Sequence, residues 1–367
     1  ENILQEKCLE KMAIGVNTLG YVKNKIDKLQ KSNYFNDQDG IYILKSEYDK
    51  FLLNEQDGIY ILKSEYDKFL LNEQKIRIKM LGNFWNSGKE LCGEFNLMIP
   101  NNNYKWDNFE ITWEDDNIDY YIIINKPKDG DFYIPSKSLV FTMEPEALDS
   151  PHGVHNWKEW YKPDKKKFFH IHSRDKYLNL VQWRIKDDYT SLKSVIKNNK
   201  KDKIASVLSW KKYFKGHKIR LEILKQFENE NIFDVFGKEN FHNIKNYKHE
   251  VPNENIGEIL KEYKYYFMPE NNKEYNYITE KLWEPILCEC LCFYWGCPNV
   301  TDYVDEKAIV ILDLNNPLEA LNTMKTAIEE NWWEQRIEYI RKAKNKIINE
   351  LSFTNTITNI FQEKNII

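Results

Sequence analysis

Residues 265–300, YYFMPENNKEYNYITEKLWEPILCECLCFYWGCPNV, decide how this chain folds. An apolar run (265–268) gives way to a polar loop, then to a segment opening on Thr279-Glu280-Lys281, then to a second apolar run (293–295). That order predicts strand, loop, helix and strand, the unit from which parallel sheets are built. It places an acid and a base where a helix begins, beyond the carboxyl end of a strand. Open α/β sheets take ligands in such a crevice, and a helix N-terminus favours anionic groups through its free N–H donors. An ordinary surface helix with a capped first turn fits the same residues, and residue chemistry alone leaves both readings open.

Outward from this stretch the pattern repeats. Region 196–345 predicts strands at 204–210, 233–236, 265–268, 293–295 and 308–312, with helices at 217–227, 279–291, 318–329 and 332–351, and a helical tail closes the chain at 346–367. Region 75–195 predicts strands at 75–81, 109–113, 120–125, 138–143 and 168–172, with a helix at 89–97. Connections long enough to cross over make both sheets parallel, so the class is α/β. Pro285 falls inside the helix at 279–291, where a missing N–H costs about 3 kcal/mol. The helix therefore either starts at Pro285 after a capped turn at Thr279, or kinks there.

Region 1–74 differs. Residues 39–56 (DGIYILKSEYDKFLLNEQ) recur unchanged as 57–74. Each copy predicts a turn at Asp-Gly, a short strand, and a turn or two of helix with Tyr48, Phe51 and Leu52 on one face. Such a unit cannot bury its apolar face alone. We expect an N-terminal appendage, either for self-association or a duplication without function, preceded by a helix at 8–29 with a break between Gly15 and Gly20.

Glu270-Asn271, then YITEKLW at 277–283, then FYWGCP at 293–298, resemble in order and spacing the donor-site signature of the α1,3-fucosyltransferases of glycosyltransferase family 10. The resemblance is strong over 204–361, weaker over 75–186 and absent before Lys75; Pro269 stands where the family has an aromatic residue. It implies a GT-B-like architecture, two Rossmann-like domains facing a cleft, with an acceptor-side domain at 75–195 and a nucleotide-sugar domain at 196–345. It also implies an inverting, metal-independent transfer from a GDP-sugar, GDP-fucose above all, to a hydroxyl of a glycan or glycoconjugate, with no cofactor. A departing diphosphate must meet fixed positive charge, usually the largest catalytic contribution. The resemblance assigns this to Lys281 and to Arg220 in GHKIRL (216–221); Arg grips phosphate in a bidentate way and Lys acts as a point charge. Glu280 is implied to accept hydrogen bonds from the ribose hydroxyls, with Tyr277 and Asn271 framing nucleotide and sugar. By residue type alone, Asn271 equally suits a loop turn and Tyr277 a half-buried aromatic.

Inverting transfer needs a carboxylate to take the acceptor proton. Met143-Glu144-Pro145-Glu146 follows the strand at 138–143 and is similar to the family's base-bearing turn. Glu144 is the expected base and Glu146 the alternative, two residues away; a carboxylate that only caps the next turn is the structural reading. His152, His155 and Trp157, with Trp160, suit the acceptor side, because aromatic faces pack on sugar C–H surfaces; core packing is equally open for each tryptophan. His170 and His172 share one strand face without further ligands and read as structural. Asp129-Gly130-Asp131 lies in a turn and is too common a pattern to predict a metal.

Composition agrees with a globular two-domain enzyme: 367 residues, 42% apolar and 14% aromatic. A net charge of −4 offers no bulk attraction for nucleic acid or an anionic membrane. The lysines at 165–167 and 197–203 read as solvated loops without interleaved aromatics. Cys288, Cys290, Cys292 and Cys297 lack zinc spacing and read as small buried hydrophobes, which favours a reducing compartment. No run is long enough to span a bilayer, so a cytoplasmic or membrane-peripheral location is expected; the chain starts at Glu1, leaving a leader open. Two rivals remain at this stage: the same fold using another nucleotide sugar, and a non-catalytic glycan-binding or assembly protein.

Overall fold

The computed structural model describes residues 75–194, 196, 199–252 and 255–367. The duplicated segments, the helix expected at 8–29 and the appendage as a whole lie outside them. The first sheet comprises β1 (Ile76–Gly82), β2 (Lys105–Trp106), β3 (Phe109–Thr112), β4 (Tyr120–Ile124), β5 (Ser138–Phe141) and β6 (His170–His172). Its order is β2-β3-β1-β4-β5-β6, and only the β2/β3 pair is antiparallel. The near-continuous apolar strings YYIII of β4 and SLVF of β5 are what a sheet covered on both faces requires. Helix α1 (Gly88–Asn96) covers one face with Leu91, Cys92 and Phe95, and Ser87 caps it by accepting from the Glu90 N–H at 3.1 Å. A short helix, α2 (Tyr189–Leu192), follows the first sheet.

The second sheet is parallel throughout. It contains β7 (Lys201–Val207), β8 (Phe233–Gly237), β9 (Tyr247–Glu250), β10 (Tyr263–Phe267), β11 (Leu291–Tyr294) and β12 (Ile309–Ile311) in the order β12-β11-β10-β7-β8-β9. Its helices are α3 (Lys215–Gln226), α4 (Ile256–Glu262), α5 (Glu280–Leu287), α6 (Pro317–Glu329), α7 (Trp332–Asn349) and α8 (Phe353–Glu363). The expected βα alternation is present in both halves. Sequence patterning missed β2, β9 and α4, and it overextended α5. That helix starts at Glu280 behind the Thr279 cap and stops at Leu287, with Pro285 inside rather than at a fresh start; Glu289 beyond it is left-handed (φ 57°). The Lys281 carbonyl that Pro285 leaves without an N–H is approached by Cys292 Sγ at 4.0 Å.

One further residue departs from expectation. Lys200 does not lie in a solvated loop: it is buried, and its ammonium donates to the carbonyls of Leu260, Tyr263 and Cys288 at 2.8, 3.0 and 2.7 Å. These carbonyls lie near the carboxyl ends of α4 and α5, where a cation complements the helix dipole. Glu289 is also buried, and pairs with Lys344 (2.9 Å) and Arg341 (3.1 Å) of α7. The five described cysteines are free and buried. Among the described residues no helix is long and apolar enough to cross a membrane.

The tail does more than close the second half. Helix α8 packs on the first sheet: Phe361 meets Phe109, Tyr120 and Phe169 with ring centroids 5.0, 4.8 and 5.5 Å apart. Phe353 meets Phe95 (4.8 Å) and Trp106 (5.5 Å), and the Trp106 indole donates to Thr358 at 3.3 Å. Truncating a fully buried Phe removes its transfer energy and leaves a cavity. Phe361→Ala is therefore expected to lower unfolding stability by about 3–5 kcal/mol in urea titration; a loss below about 1 kcal/mol would show that α8 does not belong to this core.

Candidate active site

Glu270 organises the donor side. It follows β10 with no solvent exposure, and its N–H donates to the Trp295 carbonyl at 2.9 Å. Its carboxylate accepts from the Thr279 N–H at 2.8 Å and the Thr279 hydroxyl at 2.6 Å, which fixes where α5 begins. Two glycines let it in: a Cβ on Gly216 would lie 1.7 Å from the Glu270 carbonyl oxygen, and one on Gly296 would lie 2.4 Å from Glu270 Cγ. Burial pushes its pKa up to about 7, with the Lys281 ammonium opposing and Glu280 adding to the rise. In the sequence Glu270 stands out only as part of a motif, with nothing to mark this organising role.

Around this hub stand the expected cations. Arg220 on α3 is 3% exposed. Its Nε donates to the Gly216 carbonyl (3.0 Å) and one terminal nitrogen to Asn271 Oδ1 (3.0 Å), while the other lies 3.5 Å from Met268 Sδ. Among the described residues, no carboxylate pairs directly with it. Burial lowers its pKa to about 10, so the buried guanidinium is still charged at neutral pH. Lys281 Nζ donates to Glu280 Oε1 at 2.5 Å. Desolvation works to raise the Glu280 pKa, but Lys281 and Arg184 outweigh it and bring it down to about 2. His217 is driven to about 3 by burial, with Arg220 and Lys281 both adding to the drop, so it is neutral; its Nδ1 accepts from the Phe214 N–H at 3.2 Å. Arg220 and Lys281 thus act on one small region. Tyr277 is buried beneath the Arg174 guanidinium, 5.4 Å from its ring centroid.

The first half contributes Glu144, just past β5. Its backbone neighbours are all held: Met143 N–H to Asn125 Oδ1 (2.8 Å), Met143 O from Asn179 (3.1 Å), Glu144 O from Arg174, and Pro145 O from Val154 N–H (3.1 Å). Its half-buried carboxylate has no hydrogen-bond partner among the described residues. Loss of hydration raises its pKa first of all; Glu280 adds to the rise, and Lys281, Arg184 and Lys211 oppose it. The Glu144 carboxylate of the first half therefore feels the charges of the first turn of α5. Glu146, by contrast, accepts from the Tyr161 hydroxyl at 3.3 Å. His155 bonds the Glu146 carbonyl at 2.9 Å. His152 is exposed and lies against Tyr213 of the second half, centroids 4.0 Å apart. Trp157 is half-buried between Phe84 (6.1 Å) and the Lys126 ammonium (5.8 Å). His170 and His172 are buried and neutral, held at about 3 and about 4 by burial.

Three charged residues had escaped the sequence reading. Arg184 keeps an exposed guanidinium between buried Trp183 and Ile185, a polar interruption of an apolar run that was the available signal. Desolvation works against its charge, but Glu280, Glu94, Glu144 and Glu284 outweigh this and raise its pKa. Arg174 and Glu274 lie in loops with no such mark. Among the described residues no group of three or more His, Cys, Asp or Glu is placed to share a metal ion. Asp131 of the Asp-Gly-Asp turn accepts from the Lys128 N–H at 2.8 Å.

The two parallel sheets, with their carboxyl ends supplying the clustered residues, define a GT-B fold. An alpha-glucosyltransferase solved with UDP-glucose and DNA containing an abasic site superposes at a TM-score of 0.50 and 10% identity, covering 78% of this chain and 99% of that one. This likeness concerns the fold alone. Residues 196–341 match the family model described as the C-terminal part of glycosyltransferase family 10 (fucosyltransferase). GDP-fucose protein O-fucosyltransferase 3 of Danio rerio is 32% identical over 93 residues, 25% of this chain and 20% of that protein. Alpha-(1,3)-fucosyltransferase B of Drosophila melanogaster is 29% identical over 119 residues, 31% of this chain and 26% of that one. The chain thus spans about a fifth to a quarter of the length of these curated relatives.

One titration bears on the site's electrostatics. Glu284, one turn beyond Glu280, accepts from the Arg184 N–H at 2.6 Å, and burial with Glu280 nearby pushes its pKa up to about 8 from an ordinary 4.5. The folded state then holds a proton that the unfolded chain has released, so this group's contribution to stability falls as pH rises from about 5 to about 8. Glu284→Gln keeps the acceptor and cannot ionise. Its melting temperature is expected to decline less than the parent's across that window; parallel curves would mean that Glu284 is ionised throughout.

Proposed function

We propose that the protein is a fucosyltransferase that moves fucose from GDP-fucose to a hydroxyl of a glycan or glycoconjugate, with inversion at the sugar carbon. The observation that carries this reading is the meeting of an unbonded carboxylate, Glu144 of the first half, with the Glu280–Lys281 turn of the family 10 half. The donor follows from the relatives, which are named for GDP-fucose and for α1,3-fucosyl transfer.

In this scheme Glu144 takes the proton of the acceptor hydroxyl as its oxygen bonds to the sugar carbon. The bond from that carbon to the diphosphate oxygen breaks, and GDP leaves with the electron pair. Burial raises the Glu144 pKa, which makes its carboxylate a better proton acceptor than an ordinary one. Arg220 and Lys281 meet the charge that grows on the diphosphate, and they do so without a metal ion. A guanidinium already stripped of water, with its fork fixed by Gly216 and Asn271, needs no reorganisation when that charge appears. Glu280, ionised at every physiological pH, accepts from ribose hydroxyls. Asn271 and Tyr277 support this side through Arg220 and Arg174.

Glu144→Gln is expected to bind GDP in calorimetry as the parent does and to lose about 10²- to 10⁴-fold in transfer rate. Full activity in that variant would move the base elsewhere, and absence of GDP binding in the parent would favour an assembly protein. Transfer is also expected to proceed unchanged in EDTA; a requirement for added Mg²⁺ or Mn²⁺ would overturn the cation assignment.

A further inference from the structure

The turn carrying Glu144 is held by its own half up to Pro145, and the second half completes it at Glu146 and Ala147. Glu274, in the loop between β10 and α5, sends its carboxylate to it. Oε2 accepts from the Glu146 N–H at 3.0 Å, and Oε1 accepts from the Ala147 N–H at 2.9 Å. Oε1 also accepts from the Asn272 side chain at 2.7 Å, and Arg174 stands 3.4 Å from Oε2. Three hydrogen bonds and one ion pair thereby engage the carboxylate. The same Arg174 guanidinium donates to the Glu144 carbonyl and lies over the Tyr277 ring, and its own carbonyl accepts from Asn276 at 2.6 Å. Ala147 sits at φ 41°, a conformation a non-glycine residue keeps only when its surroundings impose it. Gly153 packs so tightly beneath the turn that a Cβ there would lie 2.0 Å from the Glu146 carbonyl oxygen.

We propose that Glu274, acting with Arg174, is the positioning residue for the Glu144 base, and that it couples base placement to the loop that frames the donor. This rests on Glu144 being the base. Residues 270–279 then serve both substrates at once: Asn271 fixes Arg220, Thr279 starts α5, and Glu274 between them clamps the acceptor-side turn. A carboxylate has two oxygens that accept, whereas an amide offers one oxygen and an N–H₂ that would face a backbone N–H. Charge-assisted bonds to backbone donors are also the stronger kind.

The test is Glu274→Gln in the full chain. It is expected to reduce kcat by about 10²-fold, the penalty of a misplaced catalytic group, while GDP affinity and the donor KM stay within about twofold. Amide hydrogen exchange at Glu146 and Ala147 should speed up by at least about tenfold, a readout that does not depend on which residue is the base. In a Glu144→Gln background, adding Glu274→Gln should lower the rate no further. Should Glu274→Gln destabilise the chain, Arg174→Lys replaces it, with kcat reduced and GDP binding kept. If Glu144→Gln is inactive while Glu274→Gln retains kcat and amide protection, the clamp is wrong and the base reading stands. If Glu144→Gln is fully active but the amides are deprotected by Glu274→Gln, the base reading is what failed. Parallel losses of GDP affinity and kcat would make Glu274 a generic support and overturn the proposal.

Discussion

Everything on the donor side depends on one buried hydrogen-bonded pair. Glu270 gives both carboxylate oxygens to Thr279, and Thr279 in turn caps the helix that aims Glu280 and Lys281. A buried carboxylate without such donors would be costly, and a helix start without a partner for its N–H groups would be costly too. Each resolves the other's deficit. The approach is possible because positions 216 and 296 have no side chain, so α3 with Arg220 and the segment after β11 close on the same residue. Three separate connections that follow strands are thereby registered to one another by a single residue.

That registration explains how the site tolerates so much charge of both signs. Glu280 and Lys281 neutralise each other locally, and Arg184 approaches from the first half to offset a group of four carboxylates. Arg220 is the exception, a desolvated cation whose partners are a carbonyl and an amide oxygen rather than a carboxylate. Burying a charge with incomplete compensation lowers stability. Such an arrangement persists where a ligand completes it, and the sign of the charge calls for an anionic one.

The legible part of this structure was the part set by local pattern. Runs such as 120–124 and 291–294 are apolar on both faces, so the parallel sheets could be read from them directly. The motif at 277–283 located Glu280 and Lys281 because its information is contiguous. What escaped depends on partners distant in sequence: Glu274 bonds a residue 128 positions away, and Lys200 reaches a carbonyl 88 positions away. Strand β9, YKHE, is polar and lies at a sheet edge, so it lacks the apolar alternation by which strands are recognised. Pro285 left two readings open, and the fresh start there is the one the structure excludes: α5 begins at Glu280.

Helix α8 leaves one mechanical consequence. The chain passes from the first sheet to the second after Leu192 and returns to the first after Asn349, so the halves are joined by two covalent straps rather than one. A single strap would permit the lobes to swivel freely. Two straps, with Phe353 and Phe361 anchored in the first half, bar rotation of one lobe about a single connection.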